Sequence, residues 1–345
     1  MAELTRVLVI DDSAYVRKVV SQMLSRSPFL QVVGTARDGR EGLELVEELQ
    51  PDVITCDLNM PVMDGVSFVQ AQMARDAIPI VIISIAAESG EQVLAALDAG
   101  AMDFVQKPTA LATEKLTDIA MDLIEKVKAA GASRRRRSTV AAATAVPHVV
   151  RSSVPRGVYD IVVIGVSTGG PQGLKVVIPQ LPADFRVPIA MVMHMPIGYT
   201  EMYAQKLDAQ SRLRVVEAGD GEEVKPGTVY LAPAGRHLLF RRENQRVVTH
   251  LDVRPLDAPH RPSVDVLFQS AAEVYGRHAL GVVMTGMGSD GREGSAWIKA
   301  QGGGIVTEAE ESCVVYGMPR SVVEAGLSDE RVPLDQLARA IMERV

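Results

Sequence analysis

The chain has few cysteines and lacks long hydrophobic runs. Its 345 residues include only Cys56 and Cys313, which lie far apart in apolar segments. Such positions are typical of small core residues in a reducing compartment and argue against a disulfide or a cysteine metal site. The longest apolar stretches, such as 78–83 and 161–164, are too short to span a bilayer, and residues 1–9 lack a signal-peptide pattern. We therefore expect a cytoplasmic protein that is not inserted into a membrane.

Positive charge is also scarce. The formal net charge is −7, and the acidic excess falls within the first 130 residues. Net acidity argues against a general nucleic-acid-binding protein. The composition, with 47% hydrophobic and 23% charged residues, is that of a globular chain long enough to form two domains.

The first half of the chain alternates short apolar runs with segments that have apolar residues at helical spacing. Five βα units of this kind predict an α/β domain with a doubly wound parallel sheet over residues 1–125. The predicted strands are 7–10, 32–36, 53–56, 80–84 and 104–106.

Polar residues follow these predicted strands: Asp11 and Asp12, then Asp57, Ser84 and Lys107. Because the carboxyl ends of parallel strands share one edge of a sheet, we expect these side chains to meet. A hard divalent cation such as Mg²⁺ is the usual means of holding three carboxylates ionised together. A lone strand-end Asp is commonly a helix cap, but four matching strand ends in order predict phosphoryl transfer to Asp57.

Residues 1–125 resemble the receiver domain of two-component response regulators. The matching residues are Asp11-Asp12, Asp57, the loop Met60-Pro61-Val62-Met63-Asp64-Gly65, Ser84 and Lys107-Pro108.

The resemblance implies that Asp57 accepts phosphate from a histidine kinase. It also implies that Mg²⁺ is held by Asp12, Asp57 and the backbone carbonyl of Asn59, with Asp11, Ser84 and Lys107 as switch residues. Phe104 occupies the place of the aromatic that responds to phosphorylation, although an ordinary core aromatic fits that position equally well.

Residues 126–157 are expected to form a linker. Helical periodicity ends after Lys128, and Ala, Ser, Arg and Val dominate Gly131–Arg156. The basic run Arg134–Arg137 fits three interpretations: contact with phosphates, contact with an acidic partner or domain, and solvated linker charge, which we favour.

The stretch Asp160–Pro171 begins the second half, residues 158–345. An apolar run ends in Gly165-Val166-Ser167-Thr168-Gly169, which fits G-x-S-x-G. In that motif a tight strand-to-helix turn presents a serine hydroxyl to substrate. The same pattern also fits a glycine-rich turn whose serine caps the helix.

Further strands predict a second parallel α/β sheet. One strand, 187–193, ends at His194, and another, 279–285, leads to a glycine-rich loop containing Asp290. Between them, turn residues separate the predicted strands 213–217, 228–232, 237–241 and 247–253, which we expect to be antiparallel hairpins outside the sheet.

Ser167, His194 and Asp290 then share one crevice as nucleophile, base and orienting acid. Backbone N–H groups near 168–170 and in the loop around Met287 are candidate oxyanion donors. His237 and His260 are alternative bases, and Asp265 fits the acid favoured in a first helical turn. The glycine-rich loop 285–291 lacks the lysine of a phosphate-binding P-loop.

Almost the whole chain resembles the CheB family of chemotaxis response regulators, which are protein-glutamate methylesterases and glutamine deamidases. The residues that carry the resemblance are Gly165–Gly170, His194-Met195-Pro196, Arg261-Pro262-Ser263-Val264-Asp265, Thr285–Gly291 and Tyr316-Gly317-Met318-Pro319.

This resemblance implies a Ser167-His194-Asp290 triad without a cofactor in the esterase, with Met287 at the oxyanion hole and methyl-accepting chemoreceptors as substrates. It also implies that the unphosphorylated receiver covers the crevice. Met193 and Val166 stand where the family often has Gln and Ala. The alternatives are a serine esterase for other small esters and a regulator with a nucleic-acid-binding or scaffolding output, for which the arginine run is the sole sign.

Overall fold

The structure is a computed structural model that describes residues 4–85, 90–107, 113–140 and 159–345. The chain divides into two compact units, residues 1–145 and 146–345, and each is described by itself. No helix within the described ranges is both long enough and apolar enough to cross a membrane.

The first unit is a five-stranded parallel sheet with strand order β2-β1-β3-β4-β5. This order reverses direction beside β1, which confirms the predicted doubly wound α/β fold. The strands are β1 (Thr5–Ile10), β2 (Leu30–Ala36), β3 (Val53–Cys56), β4 (Ile80–Ile85) and β5 (Asp103–Lys107). The helices are α1 (Ala14–Leu24), α2 (Gly39–Leu49), α3 (Gly65–Arg75), α4 (Gly90–Asp98) and α5 (Thr113–Val140).

Local sequence explains where the first three helices begin. Ser13, Asp38 and Asp64 are the N-cap residues, and each side chain accepts a hydrogen bond from a first-turn N–H. These bonds satisfy donors that have no partner inside the helix. The helices therefore start directly after the strand-end loops that hold the polar residues.

Helix α5 corrects the expected boundary between the first domain and the linker. It continues to Val140, so the first part of the predicted linker 126–157 is helical. Ala130 and Ser133 are buried, and Arg134 Nη2 lies 3.0 Å from Asp76 Oδ2. An Ala- and Arg-rich composition does not by itself indicate flexibility, because both residues are strong helix formers and alanine fits a buried helix face. Arg134 is thus paired within its own unit, while residues 141–157 lie outside the described residues.

The second unit is a seven-stranded sheet with strand order β14-β13-β12-β6-β7-β9-β8, in which every neighbouring pair is parallel. Strands β10 and β11 form a separate antiparallel pair. The strands are β6 (Ile161–Val166), β7 (Ile189–Met193), β8 (Arg214–Glu217), β9 (Thr228–Leu231), β10 (His237–Glu243), β11 (Arg246–Asp252), β12 (Ala279–Val283), β13 (Gly304–Glu308) and β14 (Glu330–Val332). The helices are α6 (Gly170–Val177), α7 (Thr200–Asp208), α8 (Val264–Tyr275), α9 (Arg292–Ala300), α10 (Met318–Glu324) and α11 (Leu334–Met342).

The predicted antiparallel excursion is therefore only half right. β10 and β11 do form a hairpin, but β8 and β9 are parallel members of the main sheet. The connection 218–227 returns the chain to the same end of the sheet, and glycine-rich turn residues do not distinguish such a return from a hairpin. Helix α7 and strand β14 were not predicted.

Candidate active site

Three neighbouring strands, β12, β6 and β7, bring the predicted catalytic residues to one edge of the second sheet. Val166 at the end of β6 pairs with Met193 at the end of β7, and the His194 N–H donates to the Val166 carbonyl over 3.2 Å. On the other side of β6, the Ser167 N–H donates to the Thr285 carbonyl over 3.0 Å. Ser167 and His194 are thus the first residues beyond two adjacent, paired strands.

Glycines allow the sharp turn that carries Ser167. Gly169 has φ +80°, a left-handed conformation that favours glycine, and the Gly170 N–H donates to the Ser167 carbonyl over 2.7 Å. At Gly165 a Cβ atom would lie 2.3 Å from Val264 Cγ1, so this glycine lets α8 pack closely on β6. The first and last glycines of G-x-S-x-G therefore serve packing and turn geometry respectively.

His194 and Asp290 are in direct contact. The distance from His194 Nε2 to Asp290 Oδ2 is 2.8 Å, and their side chains are 10% and 8% exposed. Burial alone would raise the pKa of Asp290, but the hydrogen bond and charge of His194, together with the N–H groups of Asp265 and Val264, outweigh burial and lower it. Asp290 is therefore held ionised beside the imidazole.

The contact through Nε2 leaves Nδ1 of His194 as the nitrogen available to act as a base. Among the described residues, Ser167 Oγ has no hydrogen-bond partner. Hydrogen bonds between nucleophile and base are often formed only when substrate binds. The sheet edge thus brings Ser167, His194 and Asp290 together. Of the two expected side-chain contacts, the one between His194 and Asp290 is present.

The alternative histidines are arranged differently. His237 is fully buried; its Nδ1 accepts from the Ser263 N–H over 3.2 Å and its Nε2 lies 3.3 Å from the Pro255 carbonyl. Both nitrogens are occupied, and burial lowers the pKa of His237. His260 stacks on His194, with ring centroids 4.0 Å apart and ring planes at 22°. It therefore covers a face of the candidate base.

The loop after β12 presents the predicted oxyanion donor. The Gly286 carbonyl accepts from the N–H groups of Gly317 and Met318 over 3.1 and 2.9 Å, which fixes the loop. The next N–H, that of Met287, has no acceptor within the part of the chain that the structure describes. It is therefore free to donate to a substrate oxygen.

Sequence reasoning missed the carboxylate below this loop. Glu308 is fully buried; it accepts from the Thr285 N–H over 2.8 Å and from the Ser312 hydroxyl over 3.0 Å. Burial raises the pKa of Glu308 despite these hydrogen bonds. The position of a polar residue at the end of the apolar run in β13 was the available signal, and Glu308 connects that strand end to the loop of Met287.

The first unit has its own polar cluster at the carboxyl edge of its sheet. Ligand oxygens of Asp11, Asp12 and Asp57 all lie within 4.8 Å of one another. Lys107 Nζ lies 2.7 Å from Asp11 Oδ2 and 3.2 Å from Asp57 Oδ1. Carboxylate oxygens at this spacing suit Mg²⁺, a hard cation that takes few protein ligands and retains several waters.

Burial raises the pKa of Asp57, against the opposing charge of Lys107. The charge of Lys107 therefore does not offset the cost of burying the Asp57 carboxylate next to Asp11. Ser84 and Phe104 are buried on β4 and β5, and Lys126 Nζ lies 5.8 Å from the Phe104 ring centroid. Asn59 is exposed in the loop after β3. Pro108 of the predicted motif lies outside the described residues.

Together, the folds and sites define a class of two-unit α/β proteins: one unit carries an acidic cluster suited to phosphoryl transfer, and the other a serine, histidine and aspartate at one sheet edge. Comparisons with known proteins agree with this division. Residues 7–120 match the response regulator receiver domain family, and residues 162–341 match the CheB methylesterase family. The chain belongs to the CheB methylesterase family.

Relatives match over the full length. The chain is 46% identical over 342 residues to protein-glutamate methylesterase/protein-glutamine glutaminase 5 of Myxococcus xanthus, covering 99% of this chain and 98% of the relative. It is 43% identical over 348 residues to the protein of that name from Geobacillus kaustophilus, with 99% and 98% covered. The crystal structure of the Thermotoga maritima CheB methylesterase catalytic domain is 45% identical with a TM-score of 0.53, covering 54% of this chain and 98% of that domain.

Proposed function

We propose that this chain is a phosphorylation-controlled esterase that hydrolyses γ-glutamyl methyl esters of chemoreceptors to glutamate and methanol, and deamidates glutamines by the same acyl chemistry. The observation that carries the proposal is the 2.8 Å contact between His194 Nε2 and Asp290 Oδ2 beside the paired strand end that carries Ser167. Near-complete coverage of relatives named protein-glutamate methylesterase/protein-glutamine glutaminase supports the substrate class.

The reaction starts when Ser167 Oγ attacks the ester carbonyl and gives its proton to His194 Nδ1. Asp290 stabilises the imidazolium through Nε2. The carbonyl oxygen becomes an oxyanion that accepts from the Met287 N–H and from the turn after Ser167.

Collapse of this intermediate expels methoxide, which takes the proton from His194 and leaves as methanol. Water, deprotonated by the same imidazole, then attacks the acyl-serine and releases the glutamate carboxylate, with the proton returned to Ser167. A glutamine side chain follows the same route with ammonia as the leaving group.

Control is proposed to act through Asp57. A histidine kinase of the chemotaxis system supplies the phosphoryl group, Asp12, Asp57 and the Asn59 carbonyl would hold Mg²⁺, and Lys107 lies close enough to Asp57 to neutralise a phosphoryl oxygen. The bound cation would disperse charge on the transferring group. Phosphorylation of Asp57 is expected to raise the hydrolytic rate at Ser167.

Methanol release from methylated receptor membranes tests both parts. We expect Ser167→Ala to lose at least about 10⁴-fold in rate, since nucleophile loss in serine hydrolases has effects of this size or larger. Ser211→Ala, which removes a hydroxyl that donates to the Leu207 carbonyl at the end of α7, is the matched control. Undiminished methanol release by Ser167→Ala would refute the chemistry.

Regulation is tested by adding a small phosphodonor with Mg²⁺. Wild type is expected to be stimulated and Asp57→Asn is not. Equal stimulation of the two proteins would refute control through Asp57 while leaving the esterase chemistry intact.

A further inference from the structure

Asp290 is held by more than His194. Its Oδ1 accepts from the Ser263 hydroxyl and from the Asp265 N–H, each over 2.9 Å. Its Oδ2 accepts from the Val264 N–H over 2.8 Å and contacts His194 over the same distance. The N-terminal turn of α8 therefore supplies three of the four donors to the carboxylate that orients the candidate base.

Helix α8 also reaches in the opposite direction. Asp265 Oδ1 accepts from the Gly291 N–H over 2.9 Å and from the Gly294 N–H over 2.7 Å. These N–H groups belong to the start of α9, whose N-cap residue is Gly291 and which has no side-chain cap of its own. Asp265 therefore caps a neighbouring helix. Its own helix is capped by Ser263, which accepts from the Val266 N–H.

The two aspartates thus form a reciprocal pair. Asp290, directly before α9, binds the first N–H groups of α8, and Asp265, in the first turn of α8, binds the first N–H groups of α9. Gly294 permits this close approach, since a Cβ atom there would lie 2.9 Å from Asp265 Cα and from its carbonyl oxygen. An acid in a first turn ordinarily stabilises only its own helix. The reciprocal arrangement instead fixes the loop that carries Asp290 at both sides.

We propose that Asp265 is a positioning residue for the hydrolytic reaction: by capping α9 it holds Asp290, and through Asp290 it sets the orientation of His194. This inference rests on the proposed function. It extends the Ser-His-Asp arrangement by a second carboxyl group that does not contact substrate.

The pKa shifts of Asp265 and Asp290 agree with this arrangement. Burial raises the pKa of Asp265, and the charge of Asp290 raises it further, against the Gly294 and Gly291 N–H groups, whereas the pKa of Asp290 is lowered. The proton of the pair is therefore favoured on Asp265, away from the carboxylate that contacts His194. An amide at position 265 retains an oxygen acceptor for the two N–H groups and carries no charge, so Asn is the conservative replacement.

The test measures kcat and KM for methyl-ester hydrolysis in the full-length protein. We expect Asp265→Ala to lower kcat about 10- to 100-fold, because misplacement of a catalytic group by about 1 Å has effects of this size, with KM changed less than about twofold. Asp265→Asn is expected to restore kcat to within about threefold of wild type. Asp335→Ala, which removes a first-turn acid from α11, is the matched control and should leave both constants unchanged.

A second measurement separates this inference from the proposed function. The rate at which phenylmethanesulfonyl fluoride modifies Ser167 depends on the base but not on the natural substrate. We expect Asp265→Ala to slow this modification about 10-fold or more and Asp265→Asn to leave it near the wild-type rate. Normal modification and normal kcat in a folded Asp265→Ala protein would overturn the inference. Failure of wild type to hydrolyse the methyl ester, with modification slowed as expected, would overturn only the proposed substrate.

A folding check uses the single tryptophan, Trp297, which lies on α9. If Asp265→Ala does not fold, Ser263→Ala provides the second variant, since it removes one donor to Asp290 and the Ser263 cap of α8 but keeps the hydrogen bonds from α9 to Asp265 and from the α8 backbone to Asp290. A several-fold fall in kcat without a change in KM is expected, and an unchanged kcat in Ser263→Ala together with an inactive Asp265→Asn would also contradict the inference.

Discussion

Each of the two sheets places polar groups at its own carboxyl edge. The pKa of the buried carboxyl group, however, shifts in opposite directions at the two sites. In the first unit, Asp11 and Asp57 share Lys107, and burial still raises the pKa of Asp57. In the second unit, Asp290 has four hydrogen-bonding neighbours from the protein and its pKa is lowered. We therefore propose that a cation and a phosphoryl group complete the first site, whereas the hydrogen bonds to Asp290 already organise the second.

The largest expected effect is on kcat, when the carboxylate of the candidate active site in the second unit is replaced. Asp290→Asn should lower kcat about 10⁴-fold, because an amide no longer stabilises the imidazolium and favours the wrong tautomer of His194. Steady-state methanol release measures this effect, and the exposed Asp257→Asn is the control. A loss of less than about tenfold would show that the contact with His194 does not govern the reaction.

Mg²⁺ should stabilise the first unit, which holds the acidic cluster, and should not stabilise the second unit. At about 100 times the dissociation constant, Mg²⁺ should stabilise the first unit by about 2.7 kcal/mol, since only the folded unit gathers the three carboxylates. Hydrogen exchange of peptides from β1 and β12 reports the two units separately. Glu44→Gln should keep the effect, and Asp12→Asn should weaken it; equal protection of both units by Mg²⁺ would contradict the contrast.

Gly65, next to Asp57, and Gly286, next to Ser167, allow a matched comparison of the two units. A Cβ atom on Gly65 would lie 2.2 Å from the Asp57 carbonyl oxygen, and one on Gly286 would lie 2.3 Å from Met318 Sδ and 2.8 Å from Ser167 Cβ. We expect each alanine variant to lower the free energy of unfolding of its unit by about 1–3 kcal/mol, with the larger loss at Gly65, where the obstacle is backbone. Denaturant unfolding followed by hydrogen exchange and by Trp297 fluorescence measures both, and a larger loss at Gly286 would reverse the expected order.

The smallest effect is a gain in stability at the acidic cluster. Because the folded-state pKa of Asp57 is raised, the stability it contributes is present below the ordinary aspartate pKa and is lost as pH rises through the raised value. Asp57→Asn should therefore stabilise the Mg²⁺-free first unit near pH 7, because the amide replaces an ionised carboxylate that burial disfavours. The gain should shrink near pH 4. A loss of stability at pH 7 would show that Lys107 already compensates the cluster.

Much of the fold follows from patterns that are local in sequence. Continuous apolar runs such as Val53–Cys56 and Ile161–Val166 are fully buried strands, and the polar residues after them lie at the carboxyl edge of each sheet. The linker boundary and the pairing of β8 with β9 were predicted wrongly. Both depend on tertiary packing: Ala130 is helical and buried, and the turn residues between β8 and β9 do not specify the parallel pairing of these strands.

The candidate site was also predictable only where it depends on local sequence. The positions of Ser167, His194 and Asp290 follow from strand ends, but the nitrogen of His194 that contacts Asp290 does not. The hydrogen bonds of Ser263, Asp265 and Glu308 were also not predictable, because each joins residues more than 20 positions apart. The sequence did place Asp265 at the start of a helix. That position indicated only an acid favoured in the first turn of its own helix.

The proposed hydrolysis requires Ser167, His194 and Asp290 to act as one unit. Its most direct test is mass spectrometry of the full-length protein after phenylmethanesulfonyl fluoride treatment, with peptide mapping of the modified residue. We predict a single modification on Ser167 that is strongly slowed in His194→Ala and in Asp290→Asn. Modification at another residue, or an undiminished rate at Ser167 in His194→Ala, would contradict the account.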